Sequence, residues 1–191
     1  MSEWKECKLG EICDVRDGTH DSPKQSVDGY PLITSKNLKS GSIDLGNTYL
    51  ISASDYDNIN KRSKVDKYDI LYSMIGTVGE IAIIKNEPSF AIKNVGLFKC
   101  NGNYDLAKWI YYYMKSSSAK EELIAAQKGS TQSYISLGDL RQFPVLLPPL
   151  PEQRAIASVL SSLDDKIDLL HRQNKTLEAM AETLFRQWFV E

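Results

Sequence analysis

Two short motifs hold the side chains best suited to chemistry. Asp17-Gly-Thr-His-Asp-Ser-Pro23 gathers Asp17, His20 and Asp21 in one stretch, a set of residue types able to relay a proton or ligate a metal. Set around Gly18 and Pro23, such short polar side chains serve better as the hydrogen-bonded frame of a loop. Gly76-Thr-Val-Gly79 follows an apolar run, as a phosphate-cradling loop does. It lacks the Gly-Lys-Ser/Thr ending and the following helix that phosphate binding needs. The cysteines Cys7, Cys13 and Cys100 are odd in number and form no Cys-x-x-Cys pair, and the second histidine, His171, is remote from the first. Neither a zinc site nor a disulfide framework is expected. No histidine sits beside a nucleophile, and no nuclease-like pair of carboxylates is evident. The expectation is a chain without catalytic residues or metal.

The elements that must position these motifs fall into two regions. From Trp4 to about Asn101, short apolar stretches such as Ile81-Ala-Ile-Ile84 and Val95-Gly-Leu-Phe98 alternate with Gly, Pro, Asn and Asp, which reads as a β-rich domain. Lys67 to Ile75 and Glu80 to Ile84 are expected as two strands joined by the Gly76–Gly79 turn. Asp105 is expected to cap a helix running through Trp109 and Tyr111-Tyr112-Tyr113 to about Lys115, with a second helix from about Ala119 to Gln127. The tyrosines are read as core packing, since consecutive helical residues point in different directions. A last strand lies near Val145-Leu-Leu147. Pro148, Pro149 and Pro151 then mark a boundary, because proline ends a strand ladder and suits a helix start.

Beyond the prolines the apolar residues follow a heptad. Positions a are Leu160, Ile167, Asn174, Ala181 and Trp188, and positions d are Ile156, Leu163, Leu170, Leu177 and Leu184. Five heptads with one polar a residue predict a coiled-coil helix whose Asn174 sets register. The fold class expected is thus α+β: a domain over residues 1–149, β-rich with a few short helices, then one long C-terminal helix over 150–191.

Composition supplies no nucleic-acid signature. The net charge is −2, with 23 Lys+Arg against 25 Asp+Glu, where a nucleic-acid-binding domain usually has a basic excess. The densest basic patch is Lys61, Arg62, Lys64 and Lys67. No apolar run is long enough to span a bilayer, and the first residues lack a signal-peptide pattern, so a cytoplasmic protein is expected.

Several motifs carry a family likeness. Pro148-Pro-Leu-Pro-Glu-Gln-Arg154, Leu163-Asp-Asp-Lys-Ile167 and Leu184-Phe-Arg-Gln-Trp-Phe-Val190 resemble the spacer region of the specificity subunits of type I restriction–modification systems. Asp17 to Pro23, Lys67-Tyr-Asp-Ile-Leu71 with Gly76 to Gly79, and Gly129-Ser-Thr-Gln-Ser-Tyr-Ile-Ser136 resemble the target-recognition domains of the same family. The likeness covers nearly the whole chain. It implies a non-catalytic subunit that reads a bipartite double-stranded DNA site. S-adenosylmethionine and ATP would bind separate methyltransferase and restriction subunits, and this chain would hold no cofactor. In agreement, there is no Asn/Asp-Pro-Pro-aromatic motif to grip a flipped adenine and no glycine-rich cofactor loop. Full-length family members carry two recognition domains and two spacers where this chain has one of each, which leaves open a natural half-subunit or part of a longer protein.

On that reading the DNA-contacting residues are placed in polar loops, at Lys24, Gln25, Ser35, Lys36, Asn37, Lys93, Asn94, Gln132, Ser133 and Tyr134, with Arg62 and Lys64 on phosphates. The helix would pair antiparallel with a second copy through Ile156, Leu160, Leu163, Ile167, Leu170, Asn174, Leu177, Ala181 and Leu184. Phe185, Trp188 and Phe189 would anchor a methyltransferase subunit, and whether a restriction subunit joins is left open. The weak basicity supports a different reading: a dimerising adaptor whose globular domain binds protein and not DNA.

Overall fold

The computed structural model describes residues 4–128 and 133–190. The chain divides into two units, Met1–Gln153 and Arg154–Glu191. In the first, β2 (Asp14–Asp17), β7 (Ile70–Ser73), β8 (Ile81–Ile83) and β10 (Val95–Lys99) form an antiparallel sheet in the order β2-β10-β7-β8. Its central strands are apolar at nearly every position because both faces are covered. Ile70, Tyr72 and Phe98 pack on one side with Leu9 of α1 (Leu9–Ile12) and Ile110 and Met114 of α3 (Tyr104–Lys115). Leu71, Val95 and Leu97 face the other way, onto Ile33 and Ile92. Those two belong to a smaller sheet in which β3 (Tyr30–Ile33) lies between β6 (Leu50–Ile51) and β9 (Ala91–Ile92). Leu32, Ile51 and Ala91 then bury Ile59 of α2 (Ala53–Ser63) on its far side. The unit is therefore four layers: helices, sheet, sheet, helix.

The expected hairpin forms β7 and β8, with Tyr72 opposite Ile81. The helix expected to be capped by Asp105 starts two residues earlier, because the side chain of Asn103 accepts from the Leu106 amide and caps it. Tyr111 is buried, and Tyr112 and Tyr113 pack half-buried against the core. The second helix is α4 (Ser117–Ala125), capped by Ser116. Helix α2 was not expected within the β-rich stretch; Ser52 caps it by accepting from the Asp55 amide and bonding the Asp55 carboxylate. A 3-10 turn at Ser35–Asn37, the short hairpin of β4 (Leu38–Lys39) and β5 (Ser42–Ile43), and α5 (Leu137–Gln142) complete the connections. The first strand, β1 (Lys5–Lys8), pairs antiparallel with the last, β11 (Pro144–Leu147), from Lys5 opposite Leu147 to Lys8 opposite Pro144.

After the proline cluster α6 (Leu150–Phe189) runs for 40 residues, about 60 Å at 1.5 Å per residue. Its first turn belongs to the globular unit: Gln153 is buried and donates to the Pro148 carbonyl at 2.7 Å. Along the remainder, Ile156 and Leu160 are half-buried, whereas Leu163, Ile167, Leu170, Asn174, Leu177, Ala181 and Leu184 are exposed. Phe185, Trp188 and Phe189 are exposed as well. Among the described residues no helix is long and apolar enough to cross a membrane.

Candidate nucleic-acid interface

Topology gathers the polar loops at one end of the four-stranded sheet. Gly96 of β10 lies opposite Asp17, the last residue of β2, and Val95 lies opposite Ser73, the last residue of β7. The segment beginning at Gly18, the Met74–Glu80 connection and the Lys93–Asn94 link into β10 therefore emerge side by side.

Lys93 and Asn94 join the sheets. The Lys93 amide donates to the Ile33 carbonyl at 2.8 Å, and the Asn94 amide donates to the Thr19 carbonyl at 3.1 Å. Asn94 has φ +52°, a left-handed conformation that asparagine tolerates better than most residues. Its carbonyl accepts from the Ser35 hydroxyl at 3.4 Å, and Lys93 Nζ donates to Ser22 Oγ. Ser35, Lys93 and Asn94 thus meet the Asp17–Pro23 loop. Lys24 and Gln25 follow it directly, exposed, and Lys36 is exposed next to Ser35.

Gly18 permits this close approach. A Cβ there would stand 2.5 Å from the Ile92 carbonyl oxygen and 2.8 Å from the Lys93 nitrogen, both backbone atoms. Gly18→Ala is expected to lift the loop and cost about 1–3 kcal/mol of stability, as overpacking does. Urea denaturation measures it, and a loss below about 0.5 kcal/mol would mean that the loop yields freely.

Arg62 and His20 meet at the same loop. Arg62 Nη2 donates to Asp17 Oδ1 at 2.8 Å and to the Gly18 carbonyl at 2.9 Å. His20 Nε2 lies 2.9 Å from Asp17 Oδ2, and its Nδ1 lies 2.7 Å from Asn94 Oδ1. The Asp17–Pro23 segment is the hydrogen-bonded loop expected of it, and its Asp17 and His20 also reach Arg62 and Asn94, which stand far away in sequence. Ser133 and Tyr134 join from another side: the Gly76 amide donates to the Ser133 carbonyl at 3.0 Å, and Tyr134 bridges to Ile75. Tyr134 is exposed. Gln132 lies outside the described residues.

Two residues expected to contact DNA stand apart from these loops. Asn37 is buried, its Oδ1 accepting from the amide and hydroxyl of Thr34 and its Nδ2 donating to the carbonyls of Asp44 and Asn47. It has no hydrogen-bonding capacity left for a base. Lys64 pairs with Asp66 at 3.3 Å, and its carbonyl accepts from Lys99 Nζ. Lys99 ends β10 about 13 Å from Val95, at about 3.3 Å per residue, so Lys64 belongs to the opposite end of the sheet.

Among the described residues no His, Cys, Asp and Glu cluster could hold a metal ion. Cys7, Cys13 and Cys100 are free and buried; burial raises the Cys13 and Cys100 thiols, Cys100 to about 12, which keeps both protonated and unreactive at neutral pH.

Residues 1–179 match the type I restriction modification DNA specificity domain. The chain belongs to that family. It is 28% identical over 199 residues to the type I restriction enzyme HindI specificity subunit of Haemophilus influenzae, an alignment covering 100% of this chain and 42% of that protein. It is 27% identical over 205 residues to the putative type I restriction enzyme MjaX specificity subunit of Methanocaldococcus jannaschii, covering 99% of this chain and 47% of the relative. The chain thus spans about half the length of these relatives. The fold is similar to the S subunit of a type I restriction–modification system from M. genitalium, with TM-score 0.66 and 20% identity over 98% of this chain and 47% of that one. It is also similar to the HsdS subunit of Thermoanaerobacter tengcongensis, with TM-score 0.62 and 20% identity over 89% and 39%. Family membership accords with the α+β class and the long C-terminal helix.

Proposed function

We propose that the globular unit reads a DNA sequence with the loops at the Asp17–Ser73–Val95 end of its sheet. The observation that carries this is the convergence there of Ser35, Arg62, Lys93, Asn94, Ser133 and Tyr134, brought from distant parts of a chain that belongs to a DNA specificity family. Polar donors and acceptors on loops suit base edges, and Arg and Lys suit the flanking phosphates. Helix α6 pairs antiparallel with a second copy, so that two such units meet two half-sites. A separate methyltransferase subunit docks at Phe185, Trp188 and Phe189 and supplies the S-adenosylmethionine chemistry, this chain holding no cofactor.

The test is enrichment of random-sequence duplex DNA by the full chain at low salt, where phosphate contacts are strongest. The expected product is one interrupted inverted repeat, because a two-fold pair reads the same half-site on opposite strands. The adaptor reading, favoured by the net charge of −2, predicts no enriched sequence, and that outcome would displace the DNA reading.

A further inference from the structure

We propose that Asp17 is a positioning residue for sequence reading, its single carboxylate fixing Arg62 and His20 side by side at the DNA-facing end of the sheet. The inference rests on the DNA reading above and names how that site is held in register.

The two side chains come from different elements, Arg62 from the last turn of α2 and His20 from the segment after β2. Both are exposed, at 62% and 68% of their side chains, while the Asp17 side chain that joins them is only 13% exposed. Each carboxylate oxygen has its own partner: Oδ1 accepts from Arg62 and Oδ2 faces His20 Nε2. The Asp17 and Gly18 carbonyls accept from the same Arg62 nitrogen, at 3.3 Å and 2.9 Å. One corner of the guanidinium is thereby anchored. Its Nε and Nη1 hydrogens have no hydrogen-bond partner among the described residues, and they remain as separate charged donors for phosphate oxygens. Arg16 reinforces the arrangement by donating through Nη1 to the Arg62 carbonyl at 3.0 Å. A negative charge at a DNA-facing surface opposes phosphate binding. A nearly buried carboxylate there makes sense when it orients the Arg62 guanidinium, because phosphate contacts fix the register in which bases are read.

The orienting role and the charge make opposite predictions, which separates them. The probes are the duplex enriched by the wild-type full chain and a random-sequence duplex of equal length. Asp17→Ala is expected to weaken binding to the enriched duplex about tenfold while leaving binding to the random duplex unchanged or tighter. Asp17→Asn keeps an acceptor for Arg62 and should restore most of the selective binding. Arg62→Ala should weaken both and reduce the salt dependence by about one phosphate contact. Adding Asp17→Ala to Arg62→Ala should then lose far less than Asp17→Ala does alone. If Asp17→Ala changes both affinities by the same factor, or Asp17→Asn falls as far as Asp17→Ala, the assignment is overturned while the DNA reading stands. If the wild-type chain enriches no sequence, the DNA reading falls first and takes this inference with it.

Discussion

On the proposed pairing of α6, changing Leu163 and Leu170 together to lysine is expected to leave the chain monomeric where the wild type self-associates. The two leucines are 55% and 45% exposed, in a stripe that continues through Ile167 at 49% and Leu177 at 61%. Fully burying a leucine side chain is worth roughly 1.5–3 kcal/mol. Four half-exposed copies across a helix pair therefore supply about 3–6 kcal/mol, or a dissociation constant changed by a hundredfold or more. Lysine adds repulsion in the seam to that loss. Light scattering at micromolar concentration reads the change directly. Equal mass before and after the substitution would mean that α6 pairs through another face, or not at all.

Lys99→Met is expected to cost the globular unit about 3–5 kcal/mol, the scale for leaving one member of a buried ion pair alone. Lys99 is 8% exposed, and its Nζ donates to Asp69 at 2.7 Å, to Asp66, and to the Lys64 carbonyl. Burial works against the ammonium charge, but its hydrogen bonds to the two carboxylates hold its pKa above the usual lysine value. Its contribution is thus complete below the unfolded lysine pKa and is lost as pH rises through the folded one. Burial raises the Asp69 carboxyl, even with Lys99 and the Cys100 amide bonded to it. Without Lys99, Asp69 should take up a proton more readily, so the variant should regain part of its stability in mild acid. Denaturant titration at neutral and mildly acidic pH tests both points. A loss under about 1 kcal/mol would show that the cluster opens to water.

What could be read from sequence was whatever is local. The β7–β8 hairpin announced itself through two apolar runs around paired glycines, and α6 through its heptad and the prolines before it. Helix α2 carried a local signal too, the Ser52-x-x-Asp55 cap, but its mean composition is polar and the flanking strands dominate the pattern. Asn37 shows a different limit. Its residue type and loop position match those of a DNA reader, and only its burial beneath Thr34 and Asp44 shows that it holds the loop together. The pairing of Asp17 with Arg62 spans 45 residues, and the shared sheet end of Gly18, Met74 and Lys93 follows from the strand order β2-β10-β7-β8. Neither leaves any periodic trace.

The β1–β11 ribbon bears on how such a unit can be carried within a polypeptide. Lys5 and Leu147 are cross-strand partners, so the first and last strands of the unit bring the chain to within about 5 Å of itself. A module with adjacent termini tolerates transplantation and reordering of its ends. The ribbon is in effect a clasp, closing the globular unit on itself where its first and last strands meet.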